Sequence, residues 1–265
     1  MQNKRGTRAL TLNMNENFLP KSKRSQLTIF IIIAILIIAV VVLFFTFRGS
    51  LQIPGKPANL ETAEIQNFVQ ECLDDSLEKV VFRIGENGGY YFPPKISTPF
   101  LDVPYYIKNN KNLMPQKEKI QEEISKYVSR DLVFCLGDFA LFPEYEITKG
   151  KMVAETKIEQ DRVLIDMNYP LTIIKGESKS KIENFNSEVP VRLGIVYNAV
   201  AEFVEQQIES KAEKICVDCI LISFAPQGLK SNIFWEDNET SIFIVRDFNS
   251  IVKDREFVFN FAGEF

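Results

Sequence analysis

The chain of 265 residues has a formal net charge of −4, a hydrophobic content of 46% and no histidine. The acidic balance argues against nucleic acid and anionic lipid headgroups as binding partners, because both attract basic surfaces. The lack of histidine excludes imidazole-dependent catalytic triads and metal sites, and we predict no cofactor.

The first 26 residues form a polar, basic tail that carries six lysines or arginines against one glutamate. An uncharged apolar run follows, which begins at Leu27 and ends at Phe47. About twenty apolar residues in a helix cross the ~30 Å hydrocarbon core of a bilayer, so this run predicts a single transmembrane helix in contact with the lipid bilayer. It is longer than the apolar core of a cleaved secretory signal, so we expect a retained signal anchor.

The position of the basic residues predicts the orientation of the chain in the cell membrane. Basic flanks stay on the cytoplasmic side of a membrane. Residues 1–26 are therefore predicted to form a disordered cytoplasmic tail, and the region after a Pro/Gly linker at 48–60 is predicted to lie outside the cytoplasm.

The residues KRSQLTIF, which begin at Lys23, resemble the class III signal of archaeal type IV pilin-like proteins. The resemblance implies cleavage between Ser25 and Gln26 and assembly as a pilin-like subunit. The layout also resembles that of uncharacterised archaeal membrane-anchored proteins, through the KR-x-Q-L-T-I-F start, a GGYY turn and a late C-x-x-C. Glycines and prolines in the linker would interrupt a helix continuing from the membrane, which favours a plain anchored domain over a filament subunit.

Residues 61–265 predict one extracytoplasmic α+β domain. Apolar residues recur with helical spacing in three segments, at 61–85, 115–136 and 193–211. Between the second and third segments, and again near the C-terminus, the apolar period changes to two, which indicates strands. We therefore expect about three amphipathic helices on one face of an antiparallel sheet.

Four cysteines fall in this domain, and an even number outside the cytoplasm favours disulfides. Cys72 and Cys135 fall on the apolar faces of the first two helices, so we predict that they pair, and that Cys216 and Cys219 close a small loop. A thioredoxin-like redox pair, a four-cysteine zinc site and buried reduced thiols are the alternatives. Thioredoxin chemistry needs its C-x-x-C at the start of a helix that follows a strand, whereas an amphipathic helix precedes the motif here.

An aromatic, proline-rich stretch at 90–106 is the candidate contact surface. Its predicted contact residues are Tyr90, Tyr91, Phe92, Tyr105 and Tyr106. Exposed aromatic side chains bind proteins, peptides and sugars, so the expected partner is another envelope protein or a surface glycan. The alternative is that these rings pack beneath a long loop as a small core of their own.

No two carboxylates are spaced as an acid and base pair, so the sequence does not predict a catalytic site. It predicts a single-pass, membrane-anchored extracytoplasmic protein that serves the envelope as a non-enzymatic binding or structural component. Two alternatives remain. One is the pilin-like subunit, and the other is a membrane-bound enzyme that works through carboxylates or through Cys216 and Cys219.

Overall fold

The computed structural model describes residues 36–37, 60–212 and 214–265, and in the part from residue 60 onward the chain forms four α-helices and nine β-strands. The helices are α1 (Leu60–Glu86), α2 (Lys117–Leu136), α3 (Leu193–Ser210) and α4 (Val217–Phe224). The strands are β1 (Tyr105–Lys108), β2 (Lys111–Asn112), β3 (Glu146–Lys149), β4 (Val153–Ile158), β5 (Val163–Lys175), β6 (Ser178–Val189), β7 (Lys230–Trp235), β8 (Thr240–Val252) and β9 (Arg255–Glu264).

The strands form two separate sheets. The first has the order β2-β1-β9-β8-β7. It is a mixed sheet, because β1 runs parallel to β9 whereas the other neighbouring pairs of strands in this sheet are antiparallel. In the second sheet the long strand β5 is central. It pairs with β6 along one edge and with β3 and β4 in succession along the other, always antiparallel. The alternating burial of β5 follows from its period-two pattern, which places every second side chain in the core.

The helix α1 joins the two sheets, since it packs against β6 of one sheet and β9 of the other as well as against α2. Its apolar residues recur at intervals of three and four, which places them on one face. Seven of them are completely buried: Ile65, Val69, Leu73, Leu77, Val80, Val81 and Ile84. Each buried aliphatic side chain contributes about 1.5–3 kcal/mol, so this face holds α1 firmly in place.

The helix α3 packs against the mixed sheet through aromatic rings. The ring of Phe203 lies 5.1 Å from that of Phe243 in β8 and 5.7 Å from that of Phe224 at the end of α4. Just before α3, the Arg192 guanidinium binds the fully buried Asp247 carboxylate, with Nε to Oδ2 at 2.9 Å. A buried carboxylate needs such a partner, and this pair fixes the start of α3 to β8.

The turn after α1 depends on glycine. Gly88 has a φ of +53°, and a Cβ atom at this position would lie 2.3 Å from the carbonyl oxygen of Asn260. Only a residue without a side chain tolerates both the left-handed conformation and this close approach. Gly88 and its neighbour Gly89 therefore end α1 and bring the following loop against β9.

The predicted fold class is wrong in its architecture. Instead of about three helices on one face of one antiparallel sheet, there are four helices and two sheets, one of them mixed, in the residues from 60 onward. The parallel pairing of β1 with β9 joins segments far apart in the chain, and a short-range hydrophobic pattern does not encode such pairing. The fourth helix, α4, coincides with the apolar piece that carries the C-x-x-C, for which no helix was predicted.

The transmembrane part of the predicted fold class is not borne out either. In the residues that the structure describes, no helix is long and apolar enough to cross a membrane. The predicted tail at 1–26, all but the last residue of the predicted linker at 48–60 and all but two residues of the predicted span at 27–47 lie outside the described residues. The described residues from 60 onward belong to one compact unit.

Candidate functional site

A cleft of about 560 Å³ opens between α1 and α2 and is the best candidate for a binding site. From α1 it is lined by Asp75, Ser76 and Lys79, which occupy neighbouring positions on successive turns. Residues from α2 and the loop after α1 complete the lining: Tyr91, Arg130, Asp131, Phe134 and Cys135. Both helices turn their apolar faces to the core, so the polar edges of the two helices face each other across the cleft.

Asp131 is the electrostatic centre of the cleft, because its carboxylate is buried to all but 8%. The Tyr91 hydroxyl donates a hydrogen bond to Oδ2 at 3.2 Å, and Arg130 Nη2 donates to Oδ1 at 3.1 Å. Lys79 Nζ lies 3.4 Å from Oδ2. A buried carboxylate is costly unless it is paired in this way, so these interactions compensate for the burial of Asp131 and fix the positions of its neighbours.

Two cations share this carboxylate. Lys79 and Arg130 both bind Asp131, whereas the other acid of the lining, Asp75, forms an ion pair with Lys253 at 3.2 Å. The Lys79 side chain is 71% exposed and that of Arg130 is 39% exposed. Both cations therefore retain hydrogen-bond donors that a ligand can reach.

Aromatic rings stack around the Arg130 guanidinium at the mouth of the cleft. Tyr91 and Tyr127 are stacked with ring centroids 4.1 Å apart, and the edge of Phe92 meets the Tyr127 ring at 5.6 Å. The guanidinium carbon lies 4.7 Å from the Tyr91 centroid and 4.6 Å from that of Tyr127. Such cation–π contacts favour a single orientation of the arginine.

The outer part of this cluster is exposed to solvent. Phe134 is 75% exposed and Phe92 is 52% exposed. Tyr127, Arg130 and Phe134 follow each other at intervals of three and four along α2, which places them on the same face of the helix. We call Phe92, Tyr127, Arg130 and Phe134 the aromatic surface.

The five aromatic residues predicted as contacts do not form one surface. Tyr106 is completely buried, and its hydroxyl donates to the Gly88 carbonyl oxygen at 3.0 Å. Tyr105 is 7% exposed in β1, and Tyr90 is half-buried. Burial raises the pKa of Tyr106 well above its ordinary value, with weaker contributions from Tyr90 and from another tyrosine. Of the five, only Tyr91 and Phe92 contribute to the cleft and the aromatic surface.

Sequence reasoning missed the residues that α2 contributes. Arg130, Asp131 and Phe134 were not singled out, although the spacing of Tyr127, Arg130 and Phe134 is a signal visible in the sequence. An exposed phenylalanine on a helix that already has a complete buried stripe points to a contact surface. The proximity of this face to Tyr91 was not visible, because it depends on how α1 and α2 pack.

The structure contains the two predicted cysteine pairs at disulfide distance. The Cα atoms of Cys72 and Cys135 lie 5.7 Å apart and join α1 to α2 beside the cleft. Those of Cys216 and Cys219 lie 5.3 Å apart at the start of α4. Contrary to its predicted place on a buried stripe, Cys135 is exposed, whereas Cys72 is buried.

Other sequence-based predictions are not decided by the structure. Ser25 and Gln26, the predicted cleavage position, lie outside the described residues. Within the residues that the structure does describe, no group of three or more cysteine, aspartate and glutamate side chains is placed to hold a metal ion.

Comparisons with protein-family models, with curated proteins and with solved structures find no match to this chain.

Proposed function

We propose that the chain is a membrane-attached extracytoplasmic protein that binds another envelope protein through the cleft between α1 and α2. The observation that carries this proposal is the aromatic surface, in which exposed phenylalanines flank an arginine held rigid by stacking and by Asp131. Aromatic residues and arginine supply most of the binding energy at protein interfaces.

A protein is favoured over a glycan as the partner because the cleft exposes a large apolar side chain beside two cations. Phe134 offers a large apolar area, which gains most from contact with another apolar side chain. Lys79 and Arg130 share one carboxylate, so a partner carboxylate would complete their pairing. We therefore expect the partner to present an apolar side chain next to an aspartate or glutamate.

The location outside the cytoplasm is supported by the two disulfides, since such bonds persist in oxidising compartments. Attachment to the membrane is inferred from the sequence alone, from the apolar run at 27–47 and its basic flank. The cleft between α1 and α2 binds its partner without catalysing a reaction.

Site-specific photo-crosslinking in the cells that naturally produce the protein tests this proposal. A photoreactive phenylalanine analogue replaces Phe134, and in a matched control it replaces Phe100, which is exposed in the loop before β1. We expect a crosslink to one extracytoplasmic protein from position 134 and none to that protein from position 100. A crosslink to a glycan, equal labelling from both positions or no crosslink would contradict the proposal.

The captured partner is then purified for direct binding measurements. Truncation of a central interface residue typically costs more than about 2 kcal/mol, or about thirtyfold in Kd. We expect this loss for Arg130→Ala and a loss several times smaller for Lys119→Ala, an exposed lysine on the same helix that pairs with Glu122. Equal affinities for the two variants would show that the aromatic surface is not the binding site.

A further inference from the structure

The Cys216–Cys219 disulfide lies at the start of a helix. Cys216 is the N-cap residue of α4, and its Sγ atom accepts a hydrogen bond from the Cys219 amide at 3.2 Å. Cys216 is partly exposed, whereas Cys219 is 7% exposed. Cys216 is therefore the more accessible residue of the pair and Cys219 the protected one, the asymmetry typical of a reversible thiol–disulfide site.

The main chain before α4 is held in place from α3. The buried Gln207 side chain accepts a hydrogen bond from the Cys216 amide at 2.7 Å and donates one to the Lys214 carbonyl oxygen at 3.0 Å. Both hydrogen bonds join the Gln207 side chain to main-chain atoms and involve neither sulfur, so they do not depend on the disulfide. The position of Cys216 is thus defined independently of the disulfide bond.

An apolar surface surrounds the disulfide. Val217 is 63% exposed, Leu221 58% and Ile222 56%, an unusual degree of exposure for three aliphatic residues on one short helix. A groove of about 340 Å³ lies between α4 and the two strands β7 and β8, and Ile220 and Leu221 contribute to it. Ile220 lies one turn after Cys216, because its amide donates to the Cys216 carbonyl oxygen.

We propose that Cys216 and Cys219 form a thiol–disulfide exchange site that oxidises two thiols in an extended segment of another polypeptide. The occupant is an extended chain because the groove is bordered by β7, the last strand of its sheet in the part of the chain that the structure describes, and the edge of such a strand can accept backbone hydrogen bonds from an added strand. The apolar side chains of α4 contact the residues next to the substrate thiols. This site is separate from the cleft between α1 and α2.

The exchange proceeds in two balanced steps. A substrate thiolate attacks Cys216 Sγ, so that a mixed disulfide forms and Cys219 leaves as a thiolate, which takes up a proton. A second substrate thiolate then attacks the substrate sulfur of the mixed disulfide, forms the substrate disulfide and releases the Cys216 thiolate. The substrate loses two electrons and the cysteine pair gains them. Reaction with another disulfide compound, such as glutathione disulfide, returns the pair to its oxidised form.

The position at the helix start favours this direction of reaction. The partial positive charge of the helix N-terminus and the Cys219 amide both stabilise the Cys216 thiolate. A stabilised thiolate is a good leaving group in the second step, and stabilisation of the reduced form makes a disulfide a stronger oxidant. The bond joins residues only three positions apart. Opening it therefore costs less stability than opening a disulfide that closes a long loop.

The first test measures catalysis with the full-length protein in detergent. A synthetic peptide that contains two cysteines is incubated with glutathione disulfide, and the rate of peptide disulfide formation is recorded. We expect the wild-type protein to raise this rate at least about tenfold and Cys216→Ser to remove the increase. Serine is a good N-cap residue, so this variant should fold, as circular dichroism can verify. A wild-type rate equal to that of buffer would overturn the proposal.

The second test identifies which of the two sulfurs exchanges with a substrate, without turnover. Cys219→Ala and Cys216→Ala each leave a single unpaired cysteine, which is offered a peptide that carries an activated disulfide. We expect the protein with Cys216 alone to form the mixed disulfide about tenfold faster or more than the protein with buried Cys219 alone. Equal rates, or faster reaction at Cys219, would exclude the assigned roles.

The third test addresses the apolar surface. Leu221→Ser should lower the rate of peptide oxidation severalfold while leaving oxidation of the small dithiol dithiothreitol unchanged. The change removes a docking contact and leaves both sulfurs in place. Equal losses with both substrates would show that α4 does not bind the polypeptide.

Discussion

The Cys72–Cys135 disulfide can be broken with little disturbance of packing, because Cys135 is exposed and Cys72 is buried. Cys135→Ala opens the bond and leaves the Cys72 sulfur in the core. The bond joins positions 63 residues apart, and the chain-entropy relation for such a loop gives about 4 kcal/mol of stabilisation at 25 °C. We therefore expect the free energy of unfolding to fall by about this amount.

The second disulfide supplies a matched comparison. Cys216 and Cys219 are separated by three positions, for which the same relation gives about 2 kcal/mol. Cys216→Ser opens this bond and retains an N-cap hydroxyl. The loss of stability should then be about half of that for Cys135→Ala.

Equilibrium urea unfolding of residues 58–265, followed by far-ultraviolet circular dichroism, measures both effects. The double variant Cys72→Ala/Cys135→Ala reports the additional cost of removing the buried sulfur, about 1 kcal/mol for a small cavity. If Cys135→Ala costs no more than Cys216→Ser, the restraint of the unfolded chain is not the source of the stability, and the reasoning from loop length fails.

Three further outcomes are expected. Burial alone raises the pKa of Asp247, but its hydrogen bonds, chiefly from Arg192, outweigh this effect and hold the pKa below its ordinary value. The stability that this pair contributes is therefore present above about pH 4 and is lost as the pH falls through the lowered pKa. Asp247→Asn should flatten the dependence of the unfolding free energy on pH in that range. Gly88→Ala should lower the free energy of unfolding in urea by about 2–3 kcal/mol. Gly176 has a similar φ but no atom within 4 Å of an added Cβ, so Gly176→Ala should lower it by only about 1 kcal/mol. Equal losses would refute the role of the close approach. Deletion of residues 27–47 should release the protein from membranes washed with carbonate, and a deleted protein that still sediments with them would contradict the proposed attachment.

The positions of three helices followed from the sequence because their signal is local. Apolar residues at intervals of three and four marked segments that coincide with α1, α2 and α3. The helix α4 was missed, since its eight residues are too few for a helical period to stand out from a short apolar run. The alternation in β5 was equally visible, because every second side chain is buried.

The cysteine pairing was accessible to sequence reasoning for a related reason. Once α1 and α2 were expected to pack together, their cysteines had a defined place on each helix. The arrangement of the second pair was not accessible. Whether a C-x-x-C begins a helix depends on where that helix starts, and the N-cap position of Cys216 is fixed by the hydrogen bonds of Gln207 from α3.

The sequence by itself determined the acidic, histidine-free character of the chain, the apolar run at 27–47 and the local elements, because each is a property of neighbouring residues. The tertiary structure alone decided the division into two sheets, the parallel pairing of β1 with β9 and the assembly of the cleft. These features join residues far apart in the chain: Tyr91 meets Asp131 forty positions away, and β1 meets β9 more than 150 positions away. A hydrophobic pattern states which side chains are buried, but not which other buried side chains they will contact.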